Sequence, residues 1–550
     1  MKSNPKILLC ALNSKFIHSC LAVYSLKKYA VKAGYETEKI LIKEFTINDT
    51  LDYILEGIFS TKADAVAFSV YIWNVEYVSK LCRILKKISP ETTIILGGPE
   101  VTYTEKHPYF DEGDFDFILR GEGEKSFYSL ITTGEITDEK ILSLDDIPFP
   151  YDEENIHLFR NRIVYYESSR GCPFSCAYCL SSAENGVRFL SLDRVKSDLE
   201  FFEKHGVRQV KFIDRTFNCN RDRAYEIWEF IITNFSCTDM NFHFEIAADL
   251  LDEKLMRILD LAPDGLIQLE IGIQSTDEET LTISCRKTDT EKVLGNTKKL
   301  IERGNINIHA DLIAGLPGES LEKFRKSFND VYPLQSHQLQ LGFLKILHGT
   351  MMEEISKKFD FVFSPFSPYE ILSNKDMSHD DILFLKKFED VFEKIYNSQR
   401  FILSLKELEK HFESPFEMFE KITEFFEENS LSFVSVSTRE IYNILHRFFG
   451  EKISSDTKAF DEKLLSDFYF SEKSELVPEE LKYLLPPHKV VAEKAPAILR
   501  SLNLHKYKGM AVRFVSDKIF IVNYSQKGTI VPRFLNRPYS ELTSLILSTE

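Results

Sequence analysis

The sequence predicts an α/β protein in three parts. A doubly wound, Rossmann-like domain covers residues 1–135, a partial (βα)6 barrel covers 161–350, and a mostly helical region with a small terminal β segment covers 351–550. Three observations carry this expectation. Apolar runs of strand length alternate with amphipathic helical stretches through the first 350 residues, the pattern of parallel sheets wound by helices. Residues 136–160 break the rhythm: SLDDIPFPYDEEN has prolines and acids without periodicity and reads as a linker. Beyond residue 350 come helical stretches rich in Phe, Lys and Glu, such as ILFLKKFEDVFEKIY and PFEMFEKITEFFEENS.

In the first domain, ILLCAL (7–12), ADAVAFSVYI (63–72) and TTIILGG (92–98) read as buried strands. HSCLAVYSLKKYAVKAG (18–34) and VEYVSKLCRILKKI (75–88) read as helices, and FDFILRGEGE (115–124) as a fifth strand and turn. Ligands of such sheets bind at the carboxyl ends of the strands, where Gly97-Gly98-Pro99-Glu100 and Gly121-Glu122-Gly123-Glu124 fall. The barrel strands are expected in RIVYYESS (162–169), VRQVKFID (207–214), NFHFEIA (241–247), LIQLEIGI (266–273), INIHADLI (306–313) and QLQLGFLKI (338–346). Barrel chemistry belongs at the strand C-termini. The last stretch, GMAVRFVSDKIFIVNYSQKGTIVPRF, alternates like a hairpin sheet around SDK and QKG turns. The Phe-rich helices read as core stripes.

The net charge of −17 argues against a protein that coats nucleic acid, because phosphate binding needs a basic face. No apolar run approaches the roughly 18 residues of a membrane span. The N-terminal apolar run is too short for a signal peptide, so a cytoplasmic protein is expected, with reduced thiols. Of nine cysteines, Cys10, Cys20, Cys82, Cys219, Cys237 and Cys285 are scattered, and three are clustered.

The cluster is SSRGCPFSCAYCLSS (168–182), a C-x3-C-x2-C spacing in a loop after the first barrel strand. Three thiolates so close together suit three irons of a 4Fe-4S cubane, which usually takes four cysteines, so one iron stays open. A structural zinc site would want a fourth Cys or His at finger-like spacing, and His157 and His205 do not supply it.

This spacing, with Tyr178 before the last cysteine and a six-unit βα barrel behind it, resembles the radical SAM superfamily. The resemblance implies that Cys172, Cys176 and Cys179 hold the cluster. It also implies that the open iron chelates S-adenosylmethionine and that an electron cleaves it to a 5′-deoxyadenosyl radical. Tyr178, Asp214 in FIDRTFN, Glu245 in HFEIA, and Glu270, Gln274 and Ser275 in LEIGIQS would meet S-adenosylmethionine or the substrate, as would Ile313 and Gly315 in ADLIAGLPGE. Arg215 and His243 are further candidates for the pocket.

A doubly wound domain ahead of such a barrel resembles cobalamin-binding radical SAM proteins. ALNSKFIHSCLA, SVYIWN, GGPEVT, GEGE and the tail motif EKIYNSQRF narrow this to a clostridial-type subfamily whose C-terminal domain has no assigned function. The resemblance implies cobalamin contacts at Ser69, Tyr71, Asn74, Gly97, Gly98, Pro99, Glu100, Gly121, Glu122 and Gly123. The D-x-H-x-x-G loop of many cobalamin domains is missing, which leaves His18 as the only candidate lower ligand.

The leading expectation is a cobalamin-dependent radical SAM enzyme that methylates an unactivated carbon of a small-molecule or peptide substrate. Its reducing partner would be a flavodoxin or ferredoxin. The alternatives are a methylthiotransferase-like enzyme with a second cluster on Cys10, Cys20 and Cys82, a radical SAM enzyme with a degenerate N-terminal domain, and a non-catalytic sensor.

Overall fold

Strand β1 (Ile7–Asn13) is buried along its whole length, as a central parallel strand covered on both faces must be. The computed structural model that shows this describes residues 4–524, apart from 105–106, 184–185, 475, 502–503, 507–509 and 517. Around β1 lie β2 (Ile40–Thr46), β3 (Ala65–Ser69), β4 (Thr93–Gly97) and β5 (Phe117–Leu119), in the order β2-β1-β3-β4-β5. All four pairings are parallel. This is the flavodoxin-like order, and its switch point lies between β1 and β3. The sequence reading names four of these strands by residue; the structure adds β2. Its ILIKEFT core is only half-buried, so it lacks the unbroken apolar run that marks the others.

The domain core joins Leu8, Leu12, Val66, Phe68, Leu81, Leu85 and Ile94 with Cys10 and Cys82. Those two cysteines serve there as small apolar side chains.

The second sheet begins with β6 (Val164–Tyr166). A short antiparallel hairpin follows, β7 (Ser169–Gly171) and β8 (Val187–Phe189). Then come β9 (Gln209–Phe212), β10 (Asn241–Ile246), β11 (Ile267–Gln274), β12 (Asn307–Ala314) and β13 (Gln338–Phe343). The strand order is β13-β12-β11-β10-β9-β6, an open six-stranded barrel wall. Buried and half-buried residues alternate along β11 and β12, as expected when one face packs under helices and the other lines the interior.

RIVYYESS does not run through as one strand. Asp214 accepts hydrogen bonds from Ser168 N (3.3 Å) and Ser168 Oγ (3.1 Å) and holds the chain at the bend. Ser169 then starts the hairpin that leads into the cysteine loop.

The chain divides into two compact units. The first holds residues 1–306, 313–320 and 342–379, and includes a small antiparallel pair, β14 (Val362–Phe363) and β15 (Ile371–Ser373). The second holds 307–312, 321–341 and the described residues from 380 onward. Its core is aromatic: the Phe328 ring lies 5.3 Å from Phe388, 5.3 Å from Phe392 and 5.6 Å from Phe416. Arg325 clamps Glu420 in a two-pronged pair at 3.0 and 2.9 Å. The hairpin β16 (Met510–Val515) and β17 (Lys518–Asn523) turns at Ser516. The QKG turn expected at 526–528 lies outside the described residues. No helix among the described residues is long and apolar enough to cross a membrane.

Candidate active site

The hairpin β7–β8 carries the cysteine triplet in its connecting loop. Cys176 is buried, Cys172 and Cys179 are half-exposed, and all three are free thiols. Cys179 N donates to Cys176 O at 3.1 Å, which curls the loop, and Thr216 Oγ1 stands 3.6 Å from Cys172 Sγ. Among the described residues no three His, Cys, Asp or Glu side chains converge on a point for a single metal ion. A cubane asks for something different, three thiolates that each take a separate iron. Three free thiols on one curled loop, without a histidine or carboxylate among them, fit that donor requirement.

The thiols proposed for a second cluster are placed otherwise. Cys10 and Cys82 are fully shielded in the apolar core, and Cys20 is buried beside Ser69. Burial pushes all three thiols up, against the thiolate form that metal ligation needs.

Around the triplet, the expected S-adenosylmethionine contacts divide. Tyr178 stands 3.5 Å from Arg286 Nη1. Asp214 is fully buried and spends its carboxylate on Ser168; burial pushes it up to about 6. Ser275 Oγ donates to Glu319 at 2.5 Å. Gly315 has φ +85°, and a Cβ there would meet Ile371 Cγ2 at 2.8 Å, so the close approach it permits is to β15. Ile313 on β12 is half-buried. Gln274 ends β11 with φ +71°, and its Oε1 is buried without a hydrogen-bond partner. Such an orphaned acceptor suits a ligand donor.

Inside the barrel, Glu245 on β10 and Glu270 on β11 are direct cross-strand partners. Lys211 lies 2.9 Å from Glu270 and 3.9 Å from Glu245, and His243 lies 3.0 Å from Glu270. Burial, then the Glu270 charge, pushes Glu245 up to about 7. Burial also opposes ionisation of Glu270, but His243 and Lys211 overcome it and hold the group at about 2. Two adjacent carboxyls driven apart in this way supply one fixed anion and one group that titrates near neutrality.

A cavity of about 760 Å³ opens at the carboxyl ends of β3, β4 and β5. Nine of the ten residues expected to meet cobalamin stand on its wall: Ser69, Tyr71, Gly97, Gly98, Pro99, Glu100, Gly121, Glu122 and Gly123. The tenth, Asn74, does not. Its amide donates to Leu12 O and Ser69 O and accepts from Tyr71 N, so it braces the loop. Tyr71 stacks on Trp73 with ring centroids 4.4 Å apart. The cavity also reaches Gly171, Leu180 and Ser181 at the edges of the cysteine triplet, and Arg215. A single pocket therefore has both the glycine turns and the cysteine loop in its wall, which fits a large cofactor lying beside a cluster. His18 is off this wall, with Nδ1 2.6 Å from Tyr165 Oη.

Sequence reasoning missed an ionic staple here. Arg170, two residues before Cys172, donates to Glu124 (2.8 Å) and Glu167 (2.8 Å). Arg188, its register partner across the hairpin, pairs with Glu122 and donates to Ile141 O. Glu122 thus serves the hairpin, and its carboxyl is held low by those arginines against the cost of burial. Also missed on the cavity wall are Tyr103, Phe149, Lys345 and His348. The signal for the staple was present in the alternation of GEGE with SSRGC and VRF, but charge complementarity over 46 residues is invisible without a fold.

Comparison with known proteins gives the same order of domains along the chain. The B12 binding domain family matches residues 7–131, the radical SAM superfamily 166–331, and a protein family of unknown function, DUF4080, 357–518. The chain is 24% identical over 365 residues to the cobalamin-dependent radical SAM methyltransferase TokK of Streptomyces tokunonensis, covering 58% of this chain and 51% of that one. It is 25% identical to the 2-(S-pantetheinyl)-carbapenam-3-carboxylate methyltransferase of Streptantibioticus cattleyicolor, covering 61% and 54%. The chain spans about half the length of these curated relatives. Among solved structures, the cobalamin-dependent S-adenosylmethionine radical enzyme OxsB with aqua-cobalamin bound shares the fold, with a TM-score of 0.58, 14% identity, and coverage of 86% of this chain and 81% of that one.

Proposed function

Starting from a radical SAM protein with a B12 binding domain ahead of its barrel and a DUF4080 region behind it, we propose a cobalamin-dependent methyltransferase acting on an unactivated carbon of a small-molecule or peptide substrate. Cys172, Cys176 and Cys179 would hold a 4Fe-4S cluster, and the turns at Ser69–Tyr71, 97–100 and 121–123 would hold cobalamin. When bound, the cluster supplies the electron that cleaves S-adenosylmethionine, and cobalamin supplies the methyl group. The single observation that supports this reading most is the shared cavity, whose wall joins Gly97, Gly98 and Gly121 to Gly171, Leu180 and Ser181.

The chain's own residues have distinct tasks in this reading. Gln274 Oε1 accepts a hydrogen bond from S-adenosylmethionine. Lys211 and His243 keep Glu270 ionised, which leaves the Glu245 carboxyl to hold or release a proton beside the substrate. Tyr71, Trp73, Phe149 and Leu21 make the wall apolar and keep water from reactive species. A flavodoxin- or ferredoxin-type donor would deliver the electron.

The experiment is anaerobic reconstitution with iron, sulfide and hydroxocobalamin, then desalting, then incubation with S-adenosylmethionine and a chemical reductant. Stoichiometric corrin retention together with 5′-deoxyadenosine release supports the proposal. A cluster without retained corrin would sink the methyl-transfer half and leave a radical SAM enzyme with a degenerate N-terminal domain.

A further inference from the structure

We infer that the loop between β14 and β15 is a clamp on the corrin turns, anchored by Ser367 and Tyr369, and that the first part of the DUF4080 region thereby takes part in cobalamin binding. The inference rests on the reading that the cavity at the ends of β3, β4 and β5 holds cobalamin.

The loop reads SPFSPYE (364–370) and lies within the stretch that the DUF4080 family matches. Its prolines cut the conformational freedom that folding must remove. Ser364 N donates to Glu370 O at 2.9 Å and closes the loop at its base. The segment that follows β13 carries it: Ile346 N donates to Tyr369 O at 3.0 Å, and Ile371 N to Leu344 O at 2.9 Å. Farther along, that segment is pinned to the cysteine loop, where Met352 N donates to Ala177 O at 2.9 Å. The clamp thus has a fixed base.

Its tip reaches the turns beyond β3 and β4. Ser367 Oγ donates to Ile72 O, and Tyr369 Oη donates to Glu100 at the end of the 97–100 turn. Ser367 N also donates to Tyr109 Oη at 3.0 Å, later in the β4–β5 connection. Ile72 and Glu100 stand on the cavity wall. Tyr369 is fully buried and off that wall, so it is a positioning residue that acts through Glu100. Its backbone has φ +57°, a left-handed conformation that is an outlier for a bulky side chain. Strain of this kind persists only where the surroundings over-determine it, as at ligand clamps. Remove the tyrosine hydroxyl, and the shielded Glu100 carboxylate is left with His107 Nε2 at 3.2 Å. The turn is then freer to leave its place, and apparent affinity falls with the fraction of molecules that keep it there.

The test compares wild type with Tyr369→Phe and Ser367→Ala, each reconstituted anaerobically with iron and sulfide and titrated with hydroxocobalamin. Retained corrin and iron are read on the same samples, and amide hydrogen exchange is followed with and without cobalamin. Tyr369→Phe removes a hydrogen bond to a charged group and should weaken cobalamin binding about tenfold to 100-fold. Ser367→Ala removes a neutral one and should weaken it about threefold to tenfold. Iron content should match wild type in both. Exchange in Tyr369→Phe should quicken over residues 97–104 and be restored by cobalamin. Wild-type affinity in a folded Tyr369→Phe overturns the inference. So does exchange quickened across the whole β1–β5 sheet, because Tyr369 would then hold up the domain and not the corrin turn. If Tyr369→Phe fails to fold, Ser367→Ala at the half-buried tip decides, and wild-type affinity there overturns the inference. A wild-type protein that forms its cluster and retains no cobalamin overturns the reading of the cavity, and the inference with it.

Discussion

Gly98 is the position where a single methyl group should separate the corrin site from the cluster. Its backbone sits at φ +116° and ψ 171°, a region that only glycine occupies readily and that costs other residues about 1–3 kcal/mol. A Cβ there would also stand 2.5 Å from Val70 O and 3.0 Å from Val70 N. These are backbone atoms of the residue that follows β3, so no side chain can swing aside to relieve them. Gly98→Ala must therefore displace the 97–100 turn, which is cavity wall. Taking about 3 kcal/mol as the combined penalty, at about 1.4 kcal/mol per decade, corrin affinity should fall about 100-fold. Gly121 is the matched control. It shares the wall and has φ +69°, yet nothing lies within 4 Å of its would-be Cβ. Gly121→Ala should cost only about 1 kcal/mol, or less than about tenfold. The assay is a hydroxocobalamin titration read from protein-bound corrin absorbance after rapid desalting, with iron counted on the same samples. Wild-type affinity in Gly98→Ala, or a larger loss in Gly121→Ala, would refute the reasoning. So would a parallel loss of iron, because the turn would then be holding up the whole unit.

Cys176→Ala should abolish both cluster absorbance and 5′-deoxyadenosine formation while leaving corrin retention measurable; a variant with full iron content would remove the triplet from the site. Arg170→Met leaves Glu124 and Glu167 uncompensated in a largely buried setting and should cost about 3–5 kcal/mol. A lowered thermal midpoint that Glu124→Gln partly restores is the expected signature, and a midpoint within error of wild type contradicts it. Asp467, fully shielded against Leu403 and Ser404, is pushed by burial from 3.8 up to about 7. A raised folded-state value means that the folded chain holds the proton more tightly, so the stabilising contribution is full below about pH 4 and is lost as pH rises through about 7. The urea midpoint should therefore drop between pH 5 and 8 in wild type and drop less in Asp467→Asn; equal slopes would show that Asp467 does not titrate in that range.

Much of the architecture is legible because burial leaves a local trace. ILLCAL and LIQLEIGI carry, in order, the unbroken and alternating patterns of doubly and singly covered strands, and both form where expected. The triplet is legible because its chemistry needs three thiols within one loop. β2 is harder, since its half-buried residues mix Lys43 and Glu44 into the run. Asn74 and Asp214 show the opposite difficulty: a polar residue at a strand end looks the same in sequence whether it meets a ligand or braces the backbone. Here both are consumed by backbone groups. Tyr369 is illegible for a third reason, because its partner carboxylate is 269 residues away.

The two-arginine staple has a consequence for the order in which the protein is made. Residues 121–124 leave the ribosome before Arg170 and Arg188 do, and N-terminal domains fold first during synthesis. The hairpin thus closes against carboxylates already in place, and the loop it carries is shaped on that template. In the proposed reading, iron delivery to that loop would follow N-terminal folding. A fragment that starts at the barrel would present its cysteines on a hairpin with Glu122 and Glu124 missing from beneath it.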